Sequence, residues 1–328
     1  FVVVHRYEDG ARCARRAVEL ARNVPSAEKL ATQGLNVLAD ALRYQGNLEA
    51  ALSTIQQAQR LSQQAKYEND TVRLFYRYAL TFGEGAILGE PDTVNLGRPV
   101  EAAAAFQQAV DLTEEAAAKN PNDTATRIRL GEAALNLADL VRERDPRRAL
   151  ALSDLGIRRL EETPASQAGR RIRAELLAGS SYTLRRLHRP AESRRRLDAA
   201  TALLQETKDY PAGERIRLDS PAHVLLSALA DEEAESGNPR HALDTYEQLL
   251  RGVSAWPPEP DTNLPDAAGL SRLYTVVAGL DRRIGRSEAA SALETRRLDI
   301  WKHWDVRLPD NAFIRSQLNA AKVNSLWK

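Results

Sequence analysis

Apolar residues recur along this chain at every third or fourth position, and no run alternates apolar with polar residues over the length of a strand. The clearest stretch is LADALRYQGNLEAALSTIQQAQRL, from Leu38 to Leu61. The pattern predicts a first helix ending at Gly46, a tight turn opened by Asn47, and a second helix. That second helix carries Ala51, Leu52, Ile55, Ala58 and Leu61 on one face, the period of a buried helical stripe. Small residues at Ala51 and Ala58 let paired helices approach closely, and the larger ones hold them in register.

The same phrase returns as LGRPVEAAAAFQQAV at 96–110, RDPRRALALSDLG at 144–156 and LHRPAESRRRLDAA at 187–200. It comes back as SGNPRHALDTYEQLL at 236–250 and IGRSEAASALETRRL at 284–298. Alignment on Ala51 gives Ala102, Ala149, Ser193, Ala242 and Ala290, with separations of 51, 47, 44, 49 and 48 residues. Pro99, Pro146, Pro190 and Pro239 each fall where a second helix begins. Proline suits that first turn, because its missing N–H has no helical partner there. A half-unit, GARCARRAVEL at 10–20, matches the second helix alone, so the chain is expected to begin in mid-repeat.

These residues resemble the tetratricopeptide repeat (TPR) signature: small residues at fixed places in two antiparallel helices, with Gly or Asn-Pro at the bend. The unit is longer than the usual ~34 residues, and a HEAT-like array is the structural alternative. The resemblance implies an all-α fold, a right-handed superhelical TPR-like solenoid of antiparallel helix pairs. It is expected to form one domain over 1–328, with the last pair and a capping helix at about 266–328.

One stretch tests that reading. Gly83-Glu84-Gly85-Ala86-Ile87-Leu88-Gly89 has almost the glycine spacing of a phosphate-cradling loop. Such a loop needs a strand before it and a helix N-terminus after it. Upstream, Leu74, Tyr78 and Phe82 recur every four residues as a helical stripe, and downstream comes Glu-Pro-Asp. The segment is therefore expected to be a helix end followed by a long inter-helix loop.

The surrounding segment, GEGAILGEPDTVNLGRPVEAAAAFQQAVDLTEEAAAKNPND, resembles the TPR-rich C-terminal regions of bacterial eukaryotic-like Ser/Thr protein kinases. The matching residues are Gly89, Asn95, Leu96, Gly97 and Asn120-Pro121-Asn122, and RRLDIWKHWDVRLPDNAFIRSQL at 296–318 resembles the closing segment of such regions. The resemblance implies a regulatory or docking module following a kinase, with no kinase activity of its own. A membrane span between kinase and module would place the module outside the cell. A stand-alone TPR scaffold or adaptor is the alternative.

Composition agrees with helix throughout, since Ala, Leu, Arg, Glu and Gln dominate the 328 residues and all keep much of their side-chain freedom in a helical turn. The net charge of +1 gives no global pull toward nucleic acid or membrane. No stretch approaches the ~20 apolar residues of a membrane span. The single cysteine, Cys13, excludes an internal disulfide and is expected to pack as a small apolar residue on its helix. His5, His188, His223, His241 and His303 are scattered over separate repeats, without metal-ligand spacing. No nucleophile elbow occurs, and Ser180-Ser181 occupies a small-residue position that serves close packing. Neighbouring acids such as Glu114-Glu115 point to different helix faces. No catalytic residue, cofactor or metal site is expected.

Two stretches stand out for recognition. Between Arg142 and Arg196 there are 15 arginines against 7 acidic residues, a local excess of +8. Solvated faces are the plain reading; a cradle for an acidic peptide, held by paired guanidinium bonds, is the functional one. With Tyr182 as its one aromatic residue, the region lacks the stacking platforms of nucleic-acid binders. If first helices line the inner surface, Tyr182, Arg185 and Arg186 face it in one repeat, Asp231 and Glu235 in the next, and Arg272, Arg282 and Arg283 in the last pair. The expected partner is a protein or peptide, acidic where it meets the arginines, or a second copy of the chain. The other stretch, AWPPEPDTNLPDAAGL at 255–270, has four prolines and is expected to be a loop between helix pairs. Beyond it Trp301, Trp304, Leu308, Phe313, Ile314 and Leu318 concentrate bulky residues, and a helix from about Asp310 is expected to cap the array.

Overall fold

The computed structural model describes residues 6–24, 26–162, 166–209 and 215–325; His5 and Trp327 lie outside them. The described residues form fourteen α-helices and no strand. They are α1 (Tyr7–Arg22), α2 (Glu28–Tyr44), α3 (Leu48–Ser62), α4 (Asp70–Gly89), α5 (Pro99–Lys119), α6 (Thr124–Val141) and α7 (Pro146–Glu161). There follow α8 (Gln167–Arg186), α9 (Pro190–Glu206), α10 (Pro221–Glu235), α11 (Pro239–Ser254), α12 (Leu264–Arg283), α13 (Ser287–Arg307) and α14 (Ala312–Ser325). The fold is all-α and TPR-like: a single helix, then antiparallel pairs, then a capping helix.

The repeat phrase sets the pairs. Pro99, Pro146, Pro190 and Pro239 are the first residues of α5, α7, α9 and α11. The first helices after α2 open instead on side-chain caps: Asn69, Asp123, Ser166, Ser220 and Asn263 each accept a bond from a backbone N–H of the first turn of α4, α6, α8, α10 and α12. The six aligned small residues, Ala51, Ala102, Ala149, Ser193, Ala242 and Ala290, are all fully buried. The bend after α2, α8, α10 and α12 is one structure. Gly46, His188, Gly237 and Gly285 take a left-handed backbone there. The next N–H then reaches back to the carbonyl of Leu42, Leu184, Glu233 or Asp281.

The chain falls into two compact units. One comprises Phe1–Glu143 with Asp154–Pro164; the other comprises Arg144–Ser153 with Ala165–Lys328. The core of the first includes Val18, Leu38, Leu42, Ile55, Leu80 and Ile87. That of the second includes Leu226, Tyr246, Leu249, Leu273, Val277 and Leu293. At its C-terminal end α14 packs on α13, burying Ile314 and Leu318, and Phe313 meets the ring of buried Trp301 edge-on.

Two expectations need correction, the extent of the proline-rich loop and the packing of Cys13, and one holds: α4 runs through the glycines and ends at Gly89, with a loop after it. Packing accounts for the glycines: a Cβ at Gly85 would stand 3.1–3.2 Å from the buried Phe106 ring, and one at Gly89 would stand 3.1 Å from Ala102. The loop follows at 90–98, tied back by Leu96 N–H to the Ile87 carbonyl and Arg98 N–H to the Leu88 carbonyl. The proline-rich stretch is a loop only as far as Asn263, and α12 starts inside it with Pro265 in its first turn. Its loop is pinned by Trp304 Nε1, which donates to the Pro260 carbonyl at 2.7 Å. Cys13 lies on α1 but is exposed, on the side turned away from the core. The packing expected of Ser180 and Ser181 holds: both are buried and their hydroxyls bond to carbonyls one turn back.

Candidate functional site

The sequence-predicted site residues lie in the second unit, on α8, α10 and α12. Packing of α10 against α8 brings Tyr182 to Asp231, 49 residues further on. The Tyr182 hydroxyl donates to Asp231 Oδ2 at 2.6 Å, and Tyr246 of α11 donates to Oδ1 at 2.7 Å. Burial and the Asp231 charge push both phenols above their ordinary pKa, so they stay protonated donors. One turn further along, Arg185 grips Glu235 with Nε at 2.7 Å and Nη2 at 3.3 Å, while its guanidinium lies 4.6 Å from the Tyr182 ring centre. This fork-shaped contact fixes orientation as well as charge. Arg283 donates to the Ala234 carbonyl at 2.8 Å.

Tyr182, Arg185, Asp231 and Arg283 are thus gathered into one strip with Glu235. The other three candidates are not part of it. Arg282 turns to Glu294 of its own pair. Arg272 sits half-buried earlier on α12, where burial lowers its pKa to about 10. Arg186 is exposed. The expected alternation of basic, acidic and basic surface becomes, across α8 and α10, a set of mutually neutralised pairs. Sequence reasoning missed Tyr246 and also Glu232, which takes bonds from Ser193 and Arg194. The pairs Tyr182–Asp231, Arg185–Glu235 and Ala234–Arg283 stand 49 or 50 residues apart, close to one repeat, a spacing that the contacts of Tyr246 and Glu232 do not share.

The arginine-rich stretch behaves likewise. Arg142, Arg159, Arg170, Arg171, Arg185, Arg189 and Arg194 all form ion pairs, most of them with carboxylates outside it, such as Glu114, Glu206, Asp209 and Glu235. The excess counted along the sequence is largely balanced in space.

The first unit holds a counterpart. Buried Arg43 of α2 reaches the loop after α4, donating through Nε to the Val94 carbonyl at 2.8 Å and through Nη2 to Glu90. Asp40, one turn earlier, faces the same pair, and burial pushes its pKa up to about 6. Tyr78 donates to the Arg129 carbonyl at 3.1 Å and to Glu132 at 3.3 Å, and the Arg129 guanidinium lies 4.1 Å from the Phe75 ring centre. Beside them is a cavity of about 30 Å³, lined in part by Leu74, Tyr78, Thr126 and Arg129, enough for about one water. Among the described residues no group of three or more His, Cys, Asp or Glu could hold a metal ion, and no helix is long and apolar enough to cross a membrane.

No protein-family model and no curated protein matches the sequence. The fold has solved counterparts. The Rap protein complexed with Competence and Sporulation Factor is similar over 94% of this chain and 79% of its own, at 12% identity and a TM-score of 0.53. A STAND (signal transduction ATPase with numerous domains) protein with a tetratricopeptide repeat sensor, from Pyrococcus horikoshii, is similar over 92% of this chain and 44% of its own, at 10% identity and a TM-score of 0.47. BtubC from P. vanneervenii is similar over 92% of both chains, at 15% identity and a TM-score of 0.37. The likeness to the Rap protein is one of fold, a TPR-like array of helix pairs.

Proposed function

We propose that this chain is a non-catalytic protein-interaction module that receives a protein or peptide segment along its first helices. The observation that carries the reading is the strip on α8 and α10, where Tyr182, Arg185, Asp231 and Glu235 hold one another in place. Side chains ordered before a partner arrives lose little freedom when it binds. A protein of like fold, Rap, is complexed with Competence and Sporulation Factor, which is the kind of use proposed here. The finer part of the proposal is attachment to a bacterial Ser/Thr protein kinase, with the module recruiting its substrates. It rests on the sequence resemblance around Gly89, Asn95–Gly97 and Asn120–Asn122 and at 296–318. An upstream reading frame without kinase motifs would remove that part and leave the rest standing.

The test is capture of partners by wild type and by Arg185→Glu with Arg186→Glu, with circular dichroism to show equal helix content. Loss of specific partners is expected in the variant. Equal capture would take the strip out of the proposal. Sustained ATP turnover by the purified chain, abolished at Gly83 or Gly85, would replace the interaction reading with an enzymatic one.

A further inference from the structure

One guanidinium of the first unit is held in place without a partner for its N–H groups. Among the described residues of that unit, five arginines are buried or half-buried. Arg43, Arg127, Arg142 and Arg159 each form an ion pair, with Glu90, Glu162, Asp139 and Glu114 in turn. Arg129 is the exception. Among the described residues its guanidinium forms no ion pair and no hydrogen bond, and lies instead 4.1 Å from the centre of the Phe75 ring. Its backbone is fixed too, since the Tyr78 hydroxyl donates to the Arg129 carbonyl at 3.1 Å. Stacking uses the face of a guanidinium and leaves the fork of N–H donors at its edge.

The acids nearby are already engaged. Glu132, three residues on, feels the Arg129 charge but accepts its bond from Tyr78 at 3.3 Å. Asp123 caps α6, accepting from the Ala125 N–H at 3.1 Å and from the Thr126 hydroxyl. Asp70 is paired with Arg73 and Lys119. Beside the stack lies the cavity of about 30 Å³, with Leu74, Leu112 and Ala116 among its walls. Phe75 is itself 38% exposed. The ring is a local addition to the repeat. Leu88 closes its bend as Leu42, Leu184, Glu233 and Asp281 close theirs, and counted back from them Phe75 corresponds to Lys29, Arg171, Ser220 and Ala268. None of these is a large apolar residue, so stacking of the repeats does not call for one.

We infer that Arg129 receives a carboxylate, the aspartate or glutamate side chain of a bound protein segment. This rests on the reading of the chain as an interaction module, though not on the strip of α8 and α10. A guanidinium meets a carboxylate through two parallel N–H···O bonds. Here Phe75 sets the fork beforehand, so little freedom is lost on binding. The exposed ring and the apolar walls beside it give the stem of the acidic side chain a surface to lie on. One positive group flanked by Glu132 and Asp123 suits a monoanion better than the near-dianion of a phosphoryl group.

Selection of random displayed peptides on the intact chain tests this. Wild type is expected to enrich peptides with Asp or Glu at one fixed position. Arg129→Gln should lose that preference, and Arg185→Glu with Arg186→Glu should keep it. An enriched peptide then gives a cycle by fluorescence anisotropy. Changing its acid to the amide, or Arg129→Gln, should each weaken binding about tenfold or more, and the two together no further. Arg77→Gln, at an exposed arginine of α4, should change nothing, which separates the fork from general positive charge. If Arg129→Gln loses helix content, Arg129→Lys replaces it: it keeps charge and stem, lacks the fork, and should still bind severalfold more weakly. No acidic preference in wild type, or additive losses in the cycle, would overturn the inference. A preference that follows Arg185 would overturn it and leave the strip of α8 and α10 standing, whereas selection of no peptide at all would remove the interaction reading with it.

Discussion

At the scale of single residues, Asp40 is the most consequential charge in the first unit. It shares the Arg43 guanidinium with Glu90, and burial raises its pKa to about 6, with Arg43 pulling it down and Glu90 pushing it up. An ordinary aspartate titrates near 3.8, so the folded chain holds this proton more tightly than the unfolded one. Its stabilising share is therefore present below the ordinary value and is lost as pH rises through about 6. Above that, an ionised carboxylate sits half-buried at a cost of about 2–3 kcal/mol, the free-energy equivalent of the shift. Asp40→Asn is thus expected to stabilise the protein near neutrality by up to about that amount and to change little in acid well below the shifted value. Urea unfolding of both proteins at the two pH values checks this. An equal effect at both would show that the carboxylate is not the origin of the cost.

At the scale of elements, the helix pairs were legible because their determinants are local. A proline at the first turn and a small residue three positions later mark the second helices α5, α7, α9 and α11, and the six aligned small residues all proved buried. That α4 would end at these glycines was legible, but why its last turns carry Gly83, Gly85 and Gly89 was not, because they answer to neighbours rather than to their own backbone, and none has a left-handed φ. Nor were the contacts of Arg43 with Val94 or of Tyr78 with Arg129, both 51 residues apart, since they need the register of one pair on the next. The glycines make this difference measurable. Gly85 faces the ring of fully buried Phe106, which itself packs edge-on against Phe82, so Gly85→Val should cost about 2 kcal/mol or more through overpacking. Gly279, inside α12, has nothing within 4 Å of an added Cβ. Gly279→Ala should therefore stabilise by roughly 0.5–1 kcal/mol, the helical preference of alanine over glycine. Denaturant midpoints measured side by side check both signs; two effects of the same sign would refute the packing account of Gly85.

At the scale of the whole molecule, an array of hairpins buries each apolar face only against its neighbour, so its free ends carry energetic weight out of proportion to their size. The C-terminal end is closed by α14. Its Ile314 is fully buried, Leu318 nearly so, and Phe313 stands against Trp301, itself completely buried. Trp301 in turn donates through Nε1 to Ser271 Oγ at 2.7 Å, a hydroxyl that also takes a bond from buried Arg297 at 3.2 Å. The cap therefore covers an aromatic side chain, and a polar contact beneath it would weaken if water entered. Truncating one buried Ile or Leu to Ala costs about 2–5 kcal/mol, with partial coupling between neighbours. Ile314→Ala with Leu318→Ala is expected to lower stability by roughly 4 kcal/mol or more. It should also shift tryptophan emission to the red as Trp301 gains solvent, and Trp301→Phe should remove most of that shift. If the double variant keeps wild-type stability, α14 is an ornament on the last pair rather than its cover, and burial at the end of the array must come from elsewhere.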